Sequence, residues 1–444
     1  MAGPGIVFYG DDFTGATDTL ATAARAGLRT LLFLRTPTAA RIAAAGPLDC
    51  LGIAGAARSM PPDEMRIELA PVAALFRRLG ARVLHYKTCS TFDSAPEVGS
   101  IGVAIETLRA AVDTSWAAIV GGQPDLERYC LFGHLFAAAG SGGAVHRIDR
   151  HPTMSRHPVT PMHESDLRRH LAAQGLADVR SLPYPAYAGS PGTAPEGDDA
   201  LRRALSPRPD AVLFDVGDNT HLAAIEALLR PVVEVASLLA VGPSSVVQAL
   251  APRYAHGTPG HATVAPARGP VFALAGSLSP ITARQVAAAH SFDKVWLDPA
   301  RLIDDAGARI DAGVDIAWRL AQGRHVLACT VRPGADSSPG SAPTAEAGLS
   351  ARALARVGGE LLARVLAAVP LSRVGIAGGD TSSHAVQALD AWGLSYAAQL
   401  APGIALCRLH ADHDALDGLE IALKGGQMGG EDFFERLVRG NASA

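Results

Sequence analysis

Short apolar runs alternate with stretches of helical period through the first half of the chain. Gly5–Tyr9, Thr30–Leu34, Cys50–Ala54, Arg82–Tyr86, Ala117–Val120 and Ala211–Asp215 have the compact apolar pattern of buried strands. Thr19–Gly27, Glu64–Leu79 and Ile101–Val112 repeat apolar residues at helical spacing between them. Such alternation predicts a parallel sheet with crossover helices. The pattern breaks at Ala251–Pro270, which is rich in Pro, Gly and His and reads as a linker. It resumes with strands at Val271–Ala275, Lys294–Leu297, His325–Thr330 and Arg373–Ala377. The matching helices are Ile281–Ala289, Asp311–Ala321, Ser350–Val369 and Ser382–Trp392. Ala186–Asp199 and Pro333–Gly348, dense in Gly, Ser, Pro and Ala, read as surface loops. The expected fold is α/β with two domains, residues 1–250 and 271–444, joined by a linker at 251–270. Each domain should hold a mostly parallel sheet flanked by helices.

Composition narrows the function classes. The chain has 444 residues, enough for more than one full-sized core, and is 48% hydrophobic and 18% charged. A net charge of −4 without basic runs disfavours nucleic acid as a partner. Apolar runs fall short of the ~18 residues that span a membrane. The N-terminus lacks the charge and apolar order of a secretory leader, because Asp11 and Asp12 interrupt it. Five scattered Cys, odd in number and without CxxC spacing, argue against a disulfide framework or structural zinc and fit the cytoplasm.

Candidate chemistry collects at strand ends. Asp11 and Asp12 directly follow the first apolar run, where open α/β sheets bind ligands. Two adjacent carboxylates suit a site that handles hydroxyls and their protons, although one of them can equally cap the following helix. Lys87-Thr88-Cys89-Ser90-Thr91 follows another strand and could hold an anionic, hydroxyl-bearing ligand, or cap a helix. Arg58 follows a third strand, and its planar fork suits a carboxylate if it is not simply solvated. In the second half, Gly378-Gly379-Asp380-Thr381 lies between a strand and a helix, where backbone N–H groups can meet phosphate. Gly276-Ser277-Leu278-Ser279 and Lys424-Gly425-Gly426 are further glycine turns after strands. Neither G-x-x-x-x-G-K-[ST] nor a G-x-G-x-x-G at the first helix occurs, which excludes a P-loop and disfavours a standard dinucleotide fold. The run His410–Asp414 reads as solvated surface, so no protein-held metal is expected, and His134 reads as a packed histidine.

These motifs together resemble the four-carbon acid sugar kinase family. The matching segments are Gly10–Asp18, Tyr86–Ser94, Gly133–Phe136, His157–Met162, Gly276–Ser279, Gly378–Thr381 and Leu423–Gly426, in order along nearly the whole chain. The resemblance implies an N-terminal domain that holds a sugar acid and a C-terminal domain that holds ATP. Asp11 or Asp12, Arg58 and Lys87 to Thr91 would contact the acid. Ser277 or Ser279, Gly378 to Thr381, and Gly425 or Gly426 would contact ATP, which brings Mg2+ with it. Lys424-Gly-Gly-Gln-Met-Gly429 departs from the family's usual Lys-Ser-Gly-Asn-Phe-Gly, and Val241–Ser245 departs from its usual glycine-rich stretch. His146–Met154 and Tyr86–Ser94 are similar to the branch acting on 3-oxo acids.

The implied reaction is ATP-dependent phosphorylation of a terminal hydroxyl of a small sugar acid, a 3-oxo-tetronate or a relative such as 3-oxo-isoapionate. Asp12 or Asp11 would be the base, Arg58 would grip the substrate carboxylate, and domain closure would exclude water. Threonate or erythronate as substrate, a non-catalytic sugar-acid sensor, and a nucleotide-independent lyase or isomerase are the alternatives. A homodimer is the assembly expected, if any.

Overall fold

The computed structural model describes residues 3–140, 142–157, 159–187, 195–257, 262–276, 279–330, 345–426 and 428–441. It divides into two compact units, Met1–Gly260 and His261–Ala444. Each is an α/β unit with a largely parallel sheet.

Unit 1 contains strands β1 Ile6–Gly10, β2 Thr30–Phe33, β3 Cys50–Ala54, β4 Val83–Lys87, β5 Ala117–Val120, β6 Arg128–Leu131, β7 His134–Ala138, β8 Val145–Arg147, β9 Val179–Leu182, β10 Ala211–Phe214 and β11 Leu238–Gly242. The main sheet runs β2-β3-β1-β4-β11-β5-β10-β9, and every described pairing in it is parallel. Strands β1, β3, β4 and β11 are buried at every position, as expected when both faces of a sheet are covered. Strands β6, β7 and β8 form a separate antiparallel sheet, an excursion between β5 and β9 that the strand–helix pattern did not suggest.

The first helix runs Phe13–Arg25, six residues ahead of the Thr19 start expected from apolar period. Asp12 caps it, with Oδ1 accepting from the Gly15 N–H at 2.9 Å. The first turns escape period-reading because Thr17 and Thr19 are buried polar residues whose hydroxyls bond carbonyls of the preceding turn.

Unit 2 contains β12 Val271–Ala275, β13 Phe292–Trp296, β14 His325–Cys329, β15 Arg373–Ala377, β16 Gly393–Ala401, β17 Ile404–His410 and β18 Glu420–Lys424. Their order is β13-β14-β12-β15-β18-β17-β16. The first five run parallel, and the hairpin β16–β17 adds antiparallel strands beside β18. The last helix, Phe433–Arg439, sinks Phe433, Phe434 and Leu437 into the core. The helix expected at Ser382–Trp392 is Gly379–Gln387 instead, so Gly379, Asp380 and Thr381 form its first turn rather than a preceding loop. Most of the expected loop Pro333–Gly348 lies outside the described residues, as does part of Ala186–Asp199. Among the described residues, no helix is long and apolar enough to cross a membrane.

Candidate active site

In unit 1 the chain winds from β1 to β2 and β3 on one side, then places β4 on the other. Ligands bind at such switch points, beyond the carboxyl ends of the strands. Gly10 stands in register with Ala54 of β3 and Lys87 of β4. The segments that follow these strands therefore emerge side by side. Backbone hydrogen bonds continue the ladder past the strands: Asp11 N–H donates to Lys87 O at 3.0 Å, and Arg58 N–H donates to Asp11 O at 3.0 Å.

Asp12 is fully engaged. Besides capping through Oδ1, it accepts through Oδ2 from the Thr14 hydroxyl and from Arg58 Nη2 at 3.0 Å. Arg58 Nη1 lies 4.0 Å from Asp93 Oδ2, so the guanidinium sits between two protein carboxylates. The Thr91 hydroxyl donates to Asp93 Oδ1 at 2.6 Å, and Cys89 Sγ is 3.0 Å from the same hydroxyl. Lys87 is buried and donates from Nζ to Thr88 O at 2.7 Å. Gly15 makes room for it, since a Cβ there would lie 2.3 Å from Lys87 Nζ. Thr88 is held by Gly242 of β11, and Ser90 is half-buried in the turn that follows.

Asp11 differs from its neighbour. It is buried, and its Oδ1 has no hydrogen-bond partner among the described residues. Burial and the adjacent Asp12 charge push its carboxyl up to about 7, against the opposing pull of Arg58 and Lys87. Burial would raise Asp12 too, but Arg58, Lys87 and its two hydrogen bonds outweigh that and hold it below the usual carboxylate range. Asp93 is likewise lowered, with Arg58 and His157 overcoming burial. The Cys89 thiol is pushed up to about 12 by burial and by Asp93, which favours its protonated form. The pair is thus one ionised carboxylate tied into the scaffold and one carboxyl poised to exchange a proton near neutrality.

In unit 2, β12, β15 and β18 are adjacent, with Ala275 in register with Ala377 and Ala377 with Lys424. Ser279 caps the helix Pro280–Ala288, and Gly378, at φ +129, opens the helix Gly379–Gln387. Two helix N-termini thus open after neighbouring parallel strands, each an anion-attracting end. Gly276 permits close approach of these turns, because a Cβ there would lie 2.3 Å from Thr381 Oγ1. Lys424 is wholly buried; its Nζ donates to Gly425 O at 2.8 Å and to Thr282 Oγ1 at 3.2 Å. No carboxylate pairs with it among the described residues, and burial lowers its ammonium to about 7. Gln285 clamps the following turn by donating to the carbonyls of Met428, Gly429 and Gly430. Ser277 and the Asp380 side chain lie outside the described residues. An open groove of about 690 Å³ lies at the far end of helix Gly379–Gln387, where Arg356 and Glu360 pair with each other, and lacks a comparable cluster.

Residues 6–250 match the family model of a sugar-binding N-terminal domain, and residues 272–434 match that of a nucleotide-binding C-terminal domain. The chain belongs to the four-carbon acid sugar kinase family. It is 40% identical to a 3-oxo-isoapionate kinase of Paraburkholderia graminis, over 99% of this chain and 95% of that protein. It is 34% identical to a 3-oxo-tetronate kinase of Cupriavidus necator, over 97% of this chain and 95% of that protein. Among solved structures, a Salmonella typhimurium protein described as a putative tRNA synthase shares the fold, with a TM-score of 0.77 and 26% identity. That match covers 97% of this chain and 98% of the other.

The sugar-binding match contains the Asp11 cluster and the nucleotide-binding match contains the glycine turns. The fold brings Asp11, Asp12, Arg58, Lys87, Cys89 and Thr91 into one network. It brings Gly276, Gly378 and Thr381 together with Lys424. Sequence reasoning does not single out Asp93 or Lys424. Asp93 and Lys424 stood within the quoted family segments, so their position was the available signal.

The residues suit the groups that a kinase of this family would use. Helix N-termini, close-approach glycines and a buried Lys424, which has no carboxylate partner among the described residues, fit a polyphosphate. Among the described residues no group of three or more His, Cys, Asp or Glu could hold a metal ion.

Proposed function

We propose that this chain is an ATP-dependent kinase that phosphorylates a terminal hydroxyl of a small 3-oxo sugar acid, of the 3-oxo-isoapionate or 3-oxo-tetronate type. The substrate class follows the printed activities of the relatives at 40% and 34% identity. The observation that carries the mechanism is the asymmetry of the acidic pair: a saturated Asp12 beside an Asp11 whose Oδ1 is buried and unpartnered.

In this reading Asp11 is the base. Its carboxylate accepts the proton of the substrate hydroxyl as the hydroxyl oxygen bonds to the γ-phosphorus. The bond from phosphorus to the ADP oxygen breaks, and the proton on Asp11 returns to water. Asp12 is a positioning residue: it caps the helix and holds Arg58. Lys87 supplies positive charge beside the reacting oxygen, and the hydroxyls of Thr88, Ser90 and Thr91 are the candidates for polar contact with the sugar acid. Gly378, Gly379, Thr381, Ser279, Gly425 and Lys424 would hold the phosphates of ATP, with Ser277, Gly426 and Asp380 as further candidates. Mg2+ bound to ATP would supply charge neutralisation on the phosphate oxygens.

The test is ADP release from Mg-ATP across a panel of four- and five-carbon sugar acids and their 3-oxo forms. Turnover of a 3-oxo acid with none of the plain aldonates is the expected result. Turnover of threonate or erythronate alone would keep the kinase and replace the substrate class. Binding of an acid without ADP release would sink the kinase reading in favour of a sensor.

A further inference from the structure

A sugar acid brings a carboxylate into unit 1, and Arg58, which fits such a group by type, already faces two protein carboxylates. Its Nη2 is 3.0 Å from Asp12 and its Nη1 is 4.0 Å from Asp93. A substrate carboxylate placed there would be a third negative group on one guanidinium. Another buried arginine in the same unit has the opposite imbalance.

Arg128 opens β6 and is 5% exposed. Its Nη1 is pinned by the carbonyls of Leu126 at 2.7 Å and Glu127 at 3.2 Å. Its Nε is buried with no acceptor, and no carboxylate lies in ion-pair range of it among the described residues. The remaining Nε–Nη2 edge is the fork that receives a carboxylate side-on. A buried charge without a counter-ion is costly, and a ligand carboxylate would offset that cost.

The position also fits. Gln123 accepts from the Arg128 N–H and donates its own N–H to Arg128 O, while its Nε2 donates to Asp18 Oδ2 at 2.9 Å. Asp18 lies on the helix that Asp12 caps, so the start of β6 is tied to that helix. Burial lowers the Arg128 pKa, and the Asp93 carboxylate of the candidate site is near enough for its charge to act on the guanidinium. His151, from the His146–Met154 run, lies within reach of its charge. That ring is fixed: Nδ1 accepts from the Thr153 and Met154 N–H groups, so Nε2 carries the proton donated to Ala138 O.

We infer that Arg128 receives the substrate's carboxylate through its Nε–Nη2 edge, while Arg58 organises Asp12 and Asp93. This rests on the sugar-acid kinase reading above. It makes the β6–β8 excursion the element that selects acids over neutral sugars.

The experiment compares the best 3-oxo acid of the panel with its carboxamide, in the full-length protein with Mg-ATP. The unmodified enzyme should prefer the acid in kcat/KM by roughly 100-fold or more. Arg128→Gln should collapse that preference to within about tenfold, chiefly through KM, and Arg128→Lys should recover part of it. Arg58→Gln should lower kcat yet keep the preference. If Arg128→Gln keeps the preference and Arg58→Gln loses it, the assignment is overturned. Should Arg128→Gln fail to fold, a crystal structure of the unmodified protein with the acid decides. A carboxylate about 3 Å from Arg128 Nε and Nη2 supports the inference, and one on Arg58 or Lys87 overturns it. An unmodified enzyme that turns over no sugar acid overturns the kinase reading itself, and this inference with it.

Discussion

Asp11 and Asp12 share a backbone turn and a buried setting, but Asp12 spends both oxygens on Gly15, Thr14 and Arg58 while Asp11 Oδ1 has no hydrogen-bond partner among the described residues. Environment rather than residue type sets which of the two can take a proton. Because Asp11 is raised to about 7, its basic fraction grows as pH rises through neutrality. The expected kcat–pH profile climbs between pH 6 and 8 with an inflection at about 7. Asp11→Asn should lose roughly 10²- to 10⁴-fold in kcat. A variant with near-native turnover, or an unmodified profile flat across that range, would remove Asp11 from the mechanism. The native state holds the Asp11 proton to higher pH than the unfolded chain, so this group's stabilising contribution is lost as pH rises from about 4 to about 7. Asp11→Asn should remove that slope in urea titrations at pH 5 and pH 8. Lys424 has the reverse sign. Its ammonium is lowered to about 7, so at pH 8 the free protein holds it largely neutral. If ATP phosphates sit on it, binding at pH 8 takes up a proton. Calorimetric titrations in two buffers of different ionisation enthalpy should reveal that uptake, and Lys424→Met should abolish it. Identical heats in both buffers would separate Lys424 from the phosphates.

The helix Phe13–Arg25 shows how an element's first turn becomes part of a site. Its cap is Asp12, and the absence of a side chain at Gly15 leaves space for Lys87 Nζ. Ala at position 15 would favour the helix by about 1 kcal/mol, since glycine is a poor helix former. Its Cβ would also lie 2.3 Å from Lys87 Nζ and 2.6 Å from Asp12 Oδ1. Lys87 ends in a flexible chain that can move aside. The Asp12 carboxylate cannot, because it caps this helix and holds Thr14 and Arg58, so Gly15→Ala should lower Tm and lower kcat/KM by about tenfold or more, read from a melting curve and an ADP-release assay. Unchanged kinetics would mean that Lys87 is not needed where it lies. At the same scale, the apolar runs marked the strands that precede the candidate residues because burial on both faces leaves a continuous apolar signature. The helix starts were less legible. Phe13 and Gly379 begin their helices among Thr, Gly and Asp, and those first turns carry no apolar period.

Across the whole molecule, two units carry separate clusters, one in the sugar-binding match and one in the nucleotide-binding match. Hydrogen exchange should distinguish them. The sugar acid should protect amides following β1, β3 and β4, and a non-hydrolysable ATP analogue should protect those following β12 and β15. Each ligand at about 100 times its Kd should add about 2.7 kcal/mol of stability if it binds only the native state. Protection of the β1 end by nucleotide alone would reverse the assignment.

Local pattern was enough to determine the α/β class, the strands bearing the candidate residues, and the acidic pair and glycine turns that follow them. Those features are written within a few residues of one another, in burial period and turn chemistry. Tertiary structure decided the rest. Strand β11, the last of unit 1, inserts between β4 and β5, and its Gly242 carbonyl holds Thr88. Arg58 meets Asp12 across 46 positions of sequence, while Asp11 Oδ1 is left without a hydrogen-bond partner among the described residues. Arg128 comes within reach of the Asp93 charge on an excursion whose family segments, Gly133–Phe136 and His146–Met154, do not include it. Charge state and hydrogen-bond satisfaction depend on which distant groups the fold makes neighbours, and periodicity along a chain carries no record of those neighbours.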